Sequence, residues 1–421
     1  MKISIGEAKN IKNITFVIFV VFCIQFTELK LDVIKLSELL LLILTPFLYL
    51  RKTINKYSLL FLGLFSFWLL VTLVVNSFRD FYLLENVSIL KRPYFINIGR
   101  FLELLSCVNL ATLVYLFFKN KKRGISLIYI KYIFRICLLF TIYNVLTFGL
   151  LKFNIIEDSV LLYYDHGIRL NGGYVEGGPY GLMLSFTFIL TFLFKSKWHF
   201  INRMFLIIVI FFLARSKAGL VLIISWYILF YYKRMYAKLK EFNIVIILIG
   251  GLLISIVIAK LGKDYIDDIV NVRREMKERS TDVNLVMGRI AGLFIFPKMV
   301  VENPILGIGL GNYPIIRNNP KYLGFVPKSP KGKTDAHGYG GLVQLLVDGG
   351  IVMLFLFLWI IYSLFKNLRN DERELENYLI IFLLFFVFGV QIYFLYPWIL
   401  MGLLMSIANK RNEEKEDSCR C

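Results

Sequence analysis

The hydrophobic positions of this chain fall into long apolar runs that are separated by short polar segments. About twelve of these runs approach or exceed the ~20 residues that a helix needs to cross a bilayer. They lie at about residues 12–27, 33–50, 57–77, 96–118, 125–150, 177–194, 201–214, 217–232, 242–260, 338–365, 378–395 and 397–409. The pattern predicts an all-α polytopic membrane protein with about 12 transmembrane helices.

One long polar segment interrupts this pattern before the tenth run. We predict helices 1–9 in residues 1–260, one large and partly helical loop in 261–336, helices 10–12 in 337–409, and a tail in 410–421. Within the loop, Asp264 to Ser280 is charged and amphipathic, which is typical of a helix resting on a membrane or on other helices. The glycines and prolines that follow Asn303 predict an irregular continuation.

Composition agrees with a membrane protein, because 58% of the 421 residues are hydrophobic, whereas a soluble domain has about 45–50% apolar residues. The net charge of +20 would suggest a nucleic-acid partner in a soluble protein. Here the basic residues cluster in short loops between apolar runs, as the positive-inside rule predicts, so we expect no nucleic-acid partner. The five cysteines show neither metal-ligand spacing nor a disulfide framework.

The basic clusters also predict the orientation of the chain. Arg51-Lys52, Lys119 to Arg123 and the other large clusters fall on one side if twelve helices are assumed. The positive-inside rule identifies that side as the cytoplasm. Both termini and the tail are then cytoplasmic, and the loop 261–336 lies on the opposite face.

A few charged residues on the opposite face are not explained by this rule. Arg215 and Lys217, in LARSKAGL, lie where two apolar runs meet almost without a loop, and Arg289 and Arg169 lie in the outer segments. Anchoring to lipid headgroups is the alternative for each, whereas a charge held in a helix–helix turn favours a functional role for Arg215. Glu176 lies among glycines near the predicted N-terminus of the next helix, where the helix dipole favours a negative charge.

His337 is the candidate acid–base residue, because imidazole titrates near neutral pH. Read as a helix from His337, the chain places Gly341, Gln344 and Asp348 near one face, a polar stripe that enters the bilayer. A structural role is the alternative for a single histidine. His166, on the same predicted face, is the rival base.

The run GIGLG at Gly307–Gly311 resembles a phosphate loop only superficially. It lacks the following Lys-Ser/Thr pair and the strand-to-helix context, so a tight bend is the better interpretation. Arginine suits the stabilisation of a departing diphosphate, because it binds phosphate oxygens in bidentate fashion and keeps its charge. A base together with membrane-level arginines therefore suggests a lipid diphosphate as substrate and a hydroxyl as acceptor, with no metal or cofactor required.

Three segments resemble the bacterial O-antigen ligase and polymerase family of membrane glycosyltransferases. They are LARSKAGL, GRIAGLFIFPKMVVENPILGIGLGNY and AHGYGGLVQLLVDGGI. The family has an S-R-type turn, then "R…ENPLLGVGLGN", then "HNxYLQLLxExGxxG", in the same order. The chain departs from this pattern at Gly338, where the family usually has Asn, and at Ala214, where it usually has Ser. These departures leave open what orients the acceptor or the base.

The resemblance implies that Arg215 and His337 are catalytic and that Arg289 contacts the diphosphate. It further implies an inverting, metal-independent enzyme of the bacterial inner membrane with its large loop in the periplasm. An undecaprenyl-diphosphate-linked glycan is then the donor and a sugar hydroxyl the acceptor. The candidate substrate-binding residues, chosen above from their charge and position, are Lys217, Arg169, Glu176, Gln344 and Asp348. Membrane lipid and a chain-length regulator are the other expected partners.

Several functions remain open at this point. A polymerase that joins lipid-linked repeat units is preferred over a ligase that transfers a finished glycan to lipid A core. A protein-directed oligosaccharyltransferase is a third member of the family. A transporter or flippase for lipid-linked sugars belongs to a different class and would explain the cationic outer face equally well. It is expected to show repeated pairs of broken helices.

Overall fold

A computed structural model describes residues 11–31, 34–50, 54–79, 81, 92–157, 163–165, 169–239, 267, 269–282, 285–286, 288–328, 340–368 and 373–420. In chain order its helices are α1 Ile11–Gln25, α2 Leu36–Ile43, α3 Thr45–Tyr49, α4 Lys56–Asn76, α5 Pro93–Phe118, α6 Arg123–Lys152, α7 Gly177–Leu190, α8 His199–Ile208, α9 Lys217–Leu239, α10 Val272–Glu278, α11 Arg289–Glu302, α12 Tyr313–Ile316, α13 Pro320–Leu323, α14 Gly341–Leu368, α15 Arg373–Val387 and α16 Leu395–Arg420. Two short antiparallel pairs complete the described structure, β1 Lys30–Leu31 with β2 Ile34–Lys35 and β3 Tyr163–Asp165 with β4 Arg169–Gly172.

The described helices fit a membrane protein. Within the described part of the chain, the 4 helices α4, α5, α6 and α14 are long and apolar enough to cross a membrane. Shorter apolar helices occur in α1, α7, α8, α9, α15 and α16. The prediction of a mostly helical chain with apolar helices able to span a membrane is therefore confirmed. The number of twelve spans and the side on which the large loop lies stay predictions.

The prediction of a single helix over the apolar run at 33–50 is wrong. The chain instead leaves a short strand at Lys35, forms α2, and starts α3 as a separate helix with Pro46 in its first turn. Proline lacks the backbone N–H that a continuous helix needs, and its ring clashes with the preceding turn. The charged pair Lys35 and Glu38 also lies at the start of α2, where the ammonium and carboxylate are 2.9 Å apart.

Most other predicted runs correspond to helices. The run at 201–214 forms α8 and then a π-helical turn at Val209–Leu213. The last run continues through the predicted tail, since α16 extends to Arg420. The predicted run at 242–260 lies outside the described residues.

The chain divides into two compact units, which are described separately. The first comprises Met1–Gly63, Leu102–Trp226 and Trp359–Cys421. Its core is aromatic, and the buried Trp398 ring lies edge-on to Phe61 at 5.2 Å and to Phe382 at 5.8 Å. Edge-to-face packing of this kind adds to the stabilisation that burial itself provides.

The second unit comprises Leu64–Phe101 and Tyr227–Leu358. Its main hydrophobic cluster joins α11, α12 and α13 to the start of α14 through Val347. The aromatic rings of Phe296 and Tyr313 are 4.7 Å apart in this cluster. The described part of the segment after α11, residues 303–328, is thus packed against a core and is not a free loop.

Candidate functional site

In the second unit, α14 is interrupted at Gly350, which has a φ of 67°. The break frees backbone groups that a continuous helix would satisfy internally, and the segment after α11 pairs with them. The Val347 carbonyl accepts a hydrogen bond from the Ile308 amide at 2.9 Å, and the Asp348 carbonyl accepts one from the Gly309 amide at 2.8 Å. The Ile351 amide donates to the Pro304 carbonyl at 2.8 Å. This is how a broken helix can persist within an apolar environment.

The glycine bend, residues Gly307–Gly311, requires its glycines. Gly307, Gly309 and Gly311 all have positive φ, which only glycine adopts without steric cost. A Cβ atom at Gly307 would lie 2.5 Å from both the Asp348 carbonyl carbon and the Gly350 amide nitrogen. The tight bend expected from the sequence is confirmed, and its role here is to cap the broken helix.

Three buried asparagines hold the glycine bend from the other side. The Asn312 amide group donates to Asn76 at 2.7 Å, Asn76 donates to Asn97 at 2.6 Å, and Asn97 donates back to Asn312 at 2.7 Å. Thr72 accepts a hydrogen bond from the Leu310 amide at 2.9 Å. The asparagine ring fixes the bend because each buried amide is paired within the ring.

Asp348 and Gln344 lie on the buried face of α14 beside this bend. One carboxylate oxygen of Asp348 accepts a hydrogen bond from the Gly311 amide at 3.0 Å. The other oxygen, Oδ1, and the Gln344 Oε1 atom have no hydrogen-bond partner among the described residues. Both residues are buried, with 3% and 8% exposure. The Trp68 indole N–H, close to Gly349, is also unpartnered in this part of the structure. Such groups can bind sugar hydroxyls, which both donate and accept.

In the first unit, Ala214–Lys217 form the arginine turn. Arg215 has a φ of 49°, and its side chain is exposed. Backbone hydrogen bonds tie the turn to the π-helical segment, from Ala214 to Val209 at 2.8 Å and from Ser216 to Ile210 at 3.0 Å. A left-handed conformation is unfavourable for a side chain of this kind, so the surrounding contacts must impose it.

Small residues of α7, of α9 and of the turn itself hold the turn close to α7. The Ser216 hydroxyl donates to the Gly178 carbonyl at 3.1 Å, and the Ser185 hydroxyl donates to the Gly219 carbonyl at 2.9 Å. A Cβ atom at Gly219 would lie 2.7 Å from the Gly181 carbonyl oxygen. Small residues at the interface allow the two helix backbones to approach closely, as in membrane helix pairs.

The segment that carries Arg169 and Glu176 also reaches the arginine turn. A Cβ atom at Gly177 would lie 2.8 Å from the Ala214 carbonyl oxygen and 3.1 Å from the Asn171 side-chain oxygen. Glu176 immediately precedes α7, as expected for a carboxylate near a helix N-terminus. The side chains of Arg169, Glu176 and Lys217 are exposed.

Glu28 is an acidic residue of this region that sequence reasoning missed. Its carboxylate accepts a hydrogen bond from the Val175 amide at 2.5 Å. Burial raises the pKa of the Glu28 carboxyl, and the charge of Glu176 raises it further, while the hydrogen bond from Val175 and the charge of Lys35 lower it. The signal in the sequence was weak, because Glu28 follows an apolar run like any interfacial acid.

The predicted site residues are thus distributed over both units. In the first unit, the segment that carries Arg169 and Glu176 approaches the arginine turn at Gly177. The second unit holds Gln344 and Asp348. Arg289 begins α11 in the second unit, with an exposed side chain. His337 and the rival His166 lie outside the described residues. The predicted helix from His337 is not described over 337–339, and the described helix begins at Gly341, after the non-helical Gly340.

Two further arginines of the second unit were also missed. The guanidinium of Arg79 donates to the Ile308 carbonyl and, at 2.9 Å, to the Asn303 side chain, and so fastens the glycine bend. Arg317 is completely buried. Both lie in polar segments, where exposure is the ordinary expectation, so only the three-dimensional packing reveals them.

The described residues offer no group of three or more His, Cys, Asp or Glu side chains that could hold a metal ion. No model of a known protein family matches this chain, and no curated protein sequence matches it.

Proposed function

We propose that this protein is a membrane glycosyltransferase that joins undecaprenyl-diphosphate-linked oligosaccharide repeat units on the periplasmic face of the bacterial inner membrane. The buried pair Asp348 and Gln344 is the observation that carries the proposal. Each presents an oxygen atom with no partner in the described structure, and unpartnered buried acceptors are costly unless a ligand or water pairs with them. A sugar hydroxyl is a donor that fits both.

The glycine bend supports the same assignment. It lies within the most specific of the three segments that resemble the family, and its hydrogen bonds hold Asp348 near a break in a helix apolar enough to span the membrane. A rigid scaffold under the candidate acceptor site is what precise positioning of a hydroxyl requires.

In the proposed reaction, His337 accepts the proton of the acceptor hydroxyl as its oxygen attacks the anomeric carbon of the donor sugar. The bond between that carbon and the diphosphate oxygen breaks, with inversion at the anomeric carbon. Arg215 and Arg289 stabilise the negative charge of the departing undecaprenyl diphosphate. Lys217 and Arg169 contribute to binding of the donor, and so does Glu176 before the start of α7. Gln344 and Asp348 contribute to binding of the acceptor.

Purified protein in lipid nanodiscs tests the proposal directly. We expect wild-type protein to convert lipid-linked repeat units into longer glycans, and His337→Ala and Asp348→Asn to lose at least about 100-fold in rate, as removal of a general base or a positioning group does. Arg274→Gln is the matched control, since Arg274 is an exposed cation that pairs with Glu278 at 2.8 Å. Equal products from wild type and His337→Ala would exclude the proposed base.

A ligase that transfers the glycan to lipid A core uses the same chemistry, and the acceptor supplied to the assay distinguishes it.

The second class of function, a flippase for lipid-linked sugars, is favoured by one observation. The break at Gly350 interrupts a membrane-type helix, and broken helices are common at transporter binding sites. Movement of lipid-linked units across a vesicle membrane without any longer glycan would favour the flippase.

A further inference from the structure

Arg317, at the end of α12, is a fully buried charged group that the proposed reaction does not use. It has 0% exposure. The guanidinium makes a single hydrogen bond within the described structure, at 3.4 Å, from Nη2 to the Pro327 carbonyl. Nε and Nη1 have no hydrogen-bond partner there. A bond of 3.4 Å is at the long limit for this geometry and is weak.

Among the described residues, Arg317 has no acidic partner to balance its charge, and its hydrogen bonding is weak. The carboxylates that form ion pairs in this unit engage other cations: Glu302 with Lys321, Glu278 with Arg274, and Glu275 and Asp282 with Arg279. Burial lowers the pKa of Arg317, but arginine does not deprotonate in proteins. The positive charge is therefore retained at a large cost in solvation.

Tyr313 adds a second donor on the same side of α12. It lies one helical turn before Arg317, whose amide donates to the Tyr313 carbonyl at 3.0 Å. The Tyr313 hydroxyl is buried and also lacks a hydrogen-bond partner among the described residues. The neighbouring Phe296 ring, 4.7 Å away, holds the tyrosine ring in place.

We infer that Arg317 and Tyr313 form a binding site for a diphosphate group. A planar guanidinium with two unpartnered donor nitrogens and a phenol donor match the several oxygens of a diphosphate, and the site is shielded from water, where such contacts are strongest. The inference rests on the proposed function for its substrate class, because the lipid carrier of the donor ends in a diphosphate. The long hydrogen bond to Pro327 is the contact that the ligand displaces.

The site has a consequence for stability that a purely structural arginine would not have. An arginine that is paired in the ligand-free protein stabilises it, so replacing it with methionine lowers the Tm. An unpaired buried guanidinium destabilises the protein, so Arg317→Met, which keeps a similar side-chain length and removes the charge, raises the Tm. Tyr313→Phe removes only an unpaired hydroxyl and leaves the Tm nearly unchanged.

The experiment measures Tm of the full-length protein in detergent against increasing inorganic diphosphate, for the wild type, Arg317→Met, Tyr313→Phe and the control Arg274→Met. We expect diphosphate to raise the Tm of the wild type and the control. Binding weakens about 10- to 100-fold in Arg317→Met and about 10-fold or less in Tyr313→Phe, the losses typical of a charged and a neutral hydrogen-bond donor.

Two results of the titration in detergent would overturn the site. One is no diphosphate effect in the wild type, and the other is a lower Tm or failure to fold in Arg317→Met with diphosphate binding unchanged in Tyr313→Phe. Repeating the titration in nanodiscs with undecaprenyl diphosphate, and with phosphatidylglycerol alone, identifies the source. A larger rise in Tm with undecaprenyl diphosphate than with inorganic diphosphate assigns the site to the lipid carrier, and an equal rise assigns it to free diphosphate. A rise in Tm with phosphatidylglycerol alone contradicts a diphosphate site.

Glycan elongation is measured separately on the same preparations. Elongation without diphosphate binding at Arg317 would remove the site and leave the proposed function standing. Diphosphate binding that depends on Arg317, in a protein that never elongates glycans, would leave the site standing and remove the function.

Discussion

The glycine bend and the arginine turn both use left-handed backbone, but they use it for opposite purposes. In the bend, Gly307, Gly309 and Gly311 have φ between 65° and 95°, and a Cβ atom at Gly307 would collide with the backbone of α14. In the turn, Arg215 adopts a φ of 49° with its side chain exposed. The bend needs the absence of a side chain, whereas the turn tolerates strain in order to present one.

Substitutions in the bend and in the turn are therefore expected to change different properties of the protein. The bend is enclosed by the asparagine ring and by backbone pairing with α14, so its substitutions are expected to act on folding. The turn keeps a strained arginine where glycine would cost nothing, and strain that persists in this way is the reason to propose a functional role for Arg215. Substitutions there are expected to act on catalysis with little effect on stability.

The largest effect is expected from Gly307→Ala. The left-handed conformation costs about 1–2 kcal/mol for alanine, and the collision with α14 adds about 1–3 kcal/mol of overpacking. We expect a protein that unfolds at much lower temperature or fails to accumulate. Gly99→Ala is the matched control, because nothing lies within 4 Å of a Cβ atom there. A Gly307→Ala protein as stable as Gly99→Ala would show that the bend is not tightly packed.

A smaller loss is expected from Asn312→Leu in the asparagine ring. Asn97 keeps its hydrogen bond to the Leu310 carbonyl, but the side-chain oxygen of Asn76 loses its donor. One buried acceptor left unpaired costs about 1–3 kcal/mol. In a double-mutant cycle, Asn76→Leu with Asn312→Leu should cost less than the sum of the single variants, because both remove the same contact. Additive losses would mean that the two amides do not interact.

Arg215→Gly should separate the two properties. Glycine relieves the left-handed strain, so the free energy of unfolding should stay equal or rise by up to about 1 kcal/mol. Glycan elongation should fall by about 100-fold or more, the effect of removing a donor that stabilises developing charge. Asn154→Gly is the control at another left-handed position, φ 56°, and should leave elongation unchanged. A large loss of stability in Arg215→Gly would assign the arginine to the fold.

The smallest effect is expected from pH. The hydrogen bond from Lys321 lowers the pKa of the Glu302 carboxyl below its usual 4.5. The folded state therefore favours the carboxylate, so this pair stabilises the protein above the usual pKa, and the contribution is lost as pH falls through the lowered one. Because both side chains are about half exposed, the contribution should stay below about 1 kcal/mol. Lys321→Gln should make unfolding less sensitive to acid than in the wild type, whereas Lys277→Gln should not.

The helices and the bend could be predicted because their signals are local. Apolar runs near 20 residues long specify membrane helices, and closely spaced glycines specify a bend. The single helix predicted for the run at 33–50 was wrong, because its charged start and Pro46 matter more than the many apolar residues around them. No local signal shows that α14 breaks at Gly350, since a glycine within a helix is often tolerated.

The candidate site could be predicted only in part. Gln344 and Asp348 share a helical face, so their common burial follows from spacing, and the arginine turn follows from two apolar runs that meet at Arg215. Glu28 could not be found, because its hydrogen bond with Val175 joins segments far apart in the sequence. Arg317 could not be found, because nothing in its polar segment signals that the side chain is buried. The pairing of Asp348 with Gly311 is likewise a long-range property.

We expect this protein to make glycosidic bonds, a claim that can be checked by measuring carrier release and bond formation in the same reaction. Purified wild-type protein is supplied with lipid-linked repeat units, and free undecaprenyl diphosphate is quantified beside glycan length. We predict one carrier diphosphate released for each new glycosidic bond, with both lost together in His337→Ala. Lipid-linked units that cross the membrane with no carrier released and no glycan lengthened would contradict the claim.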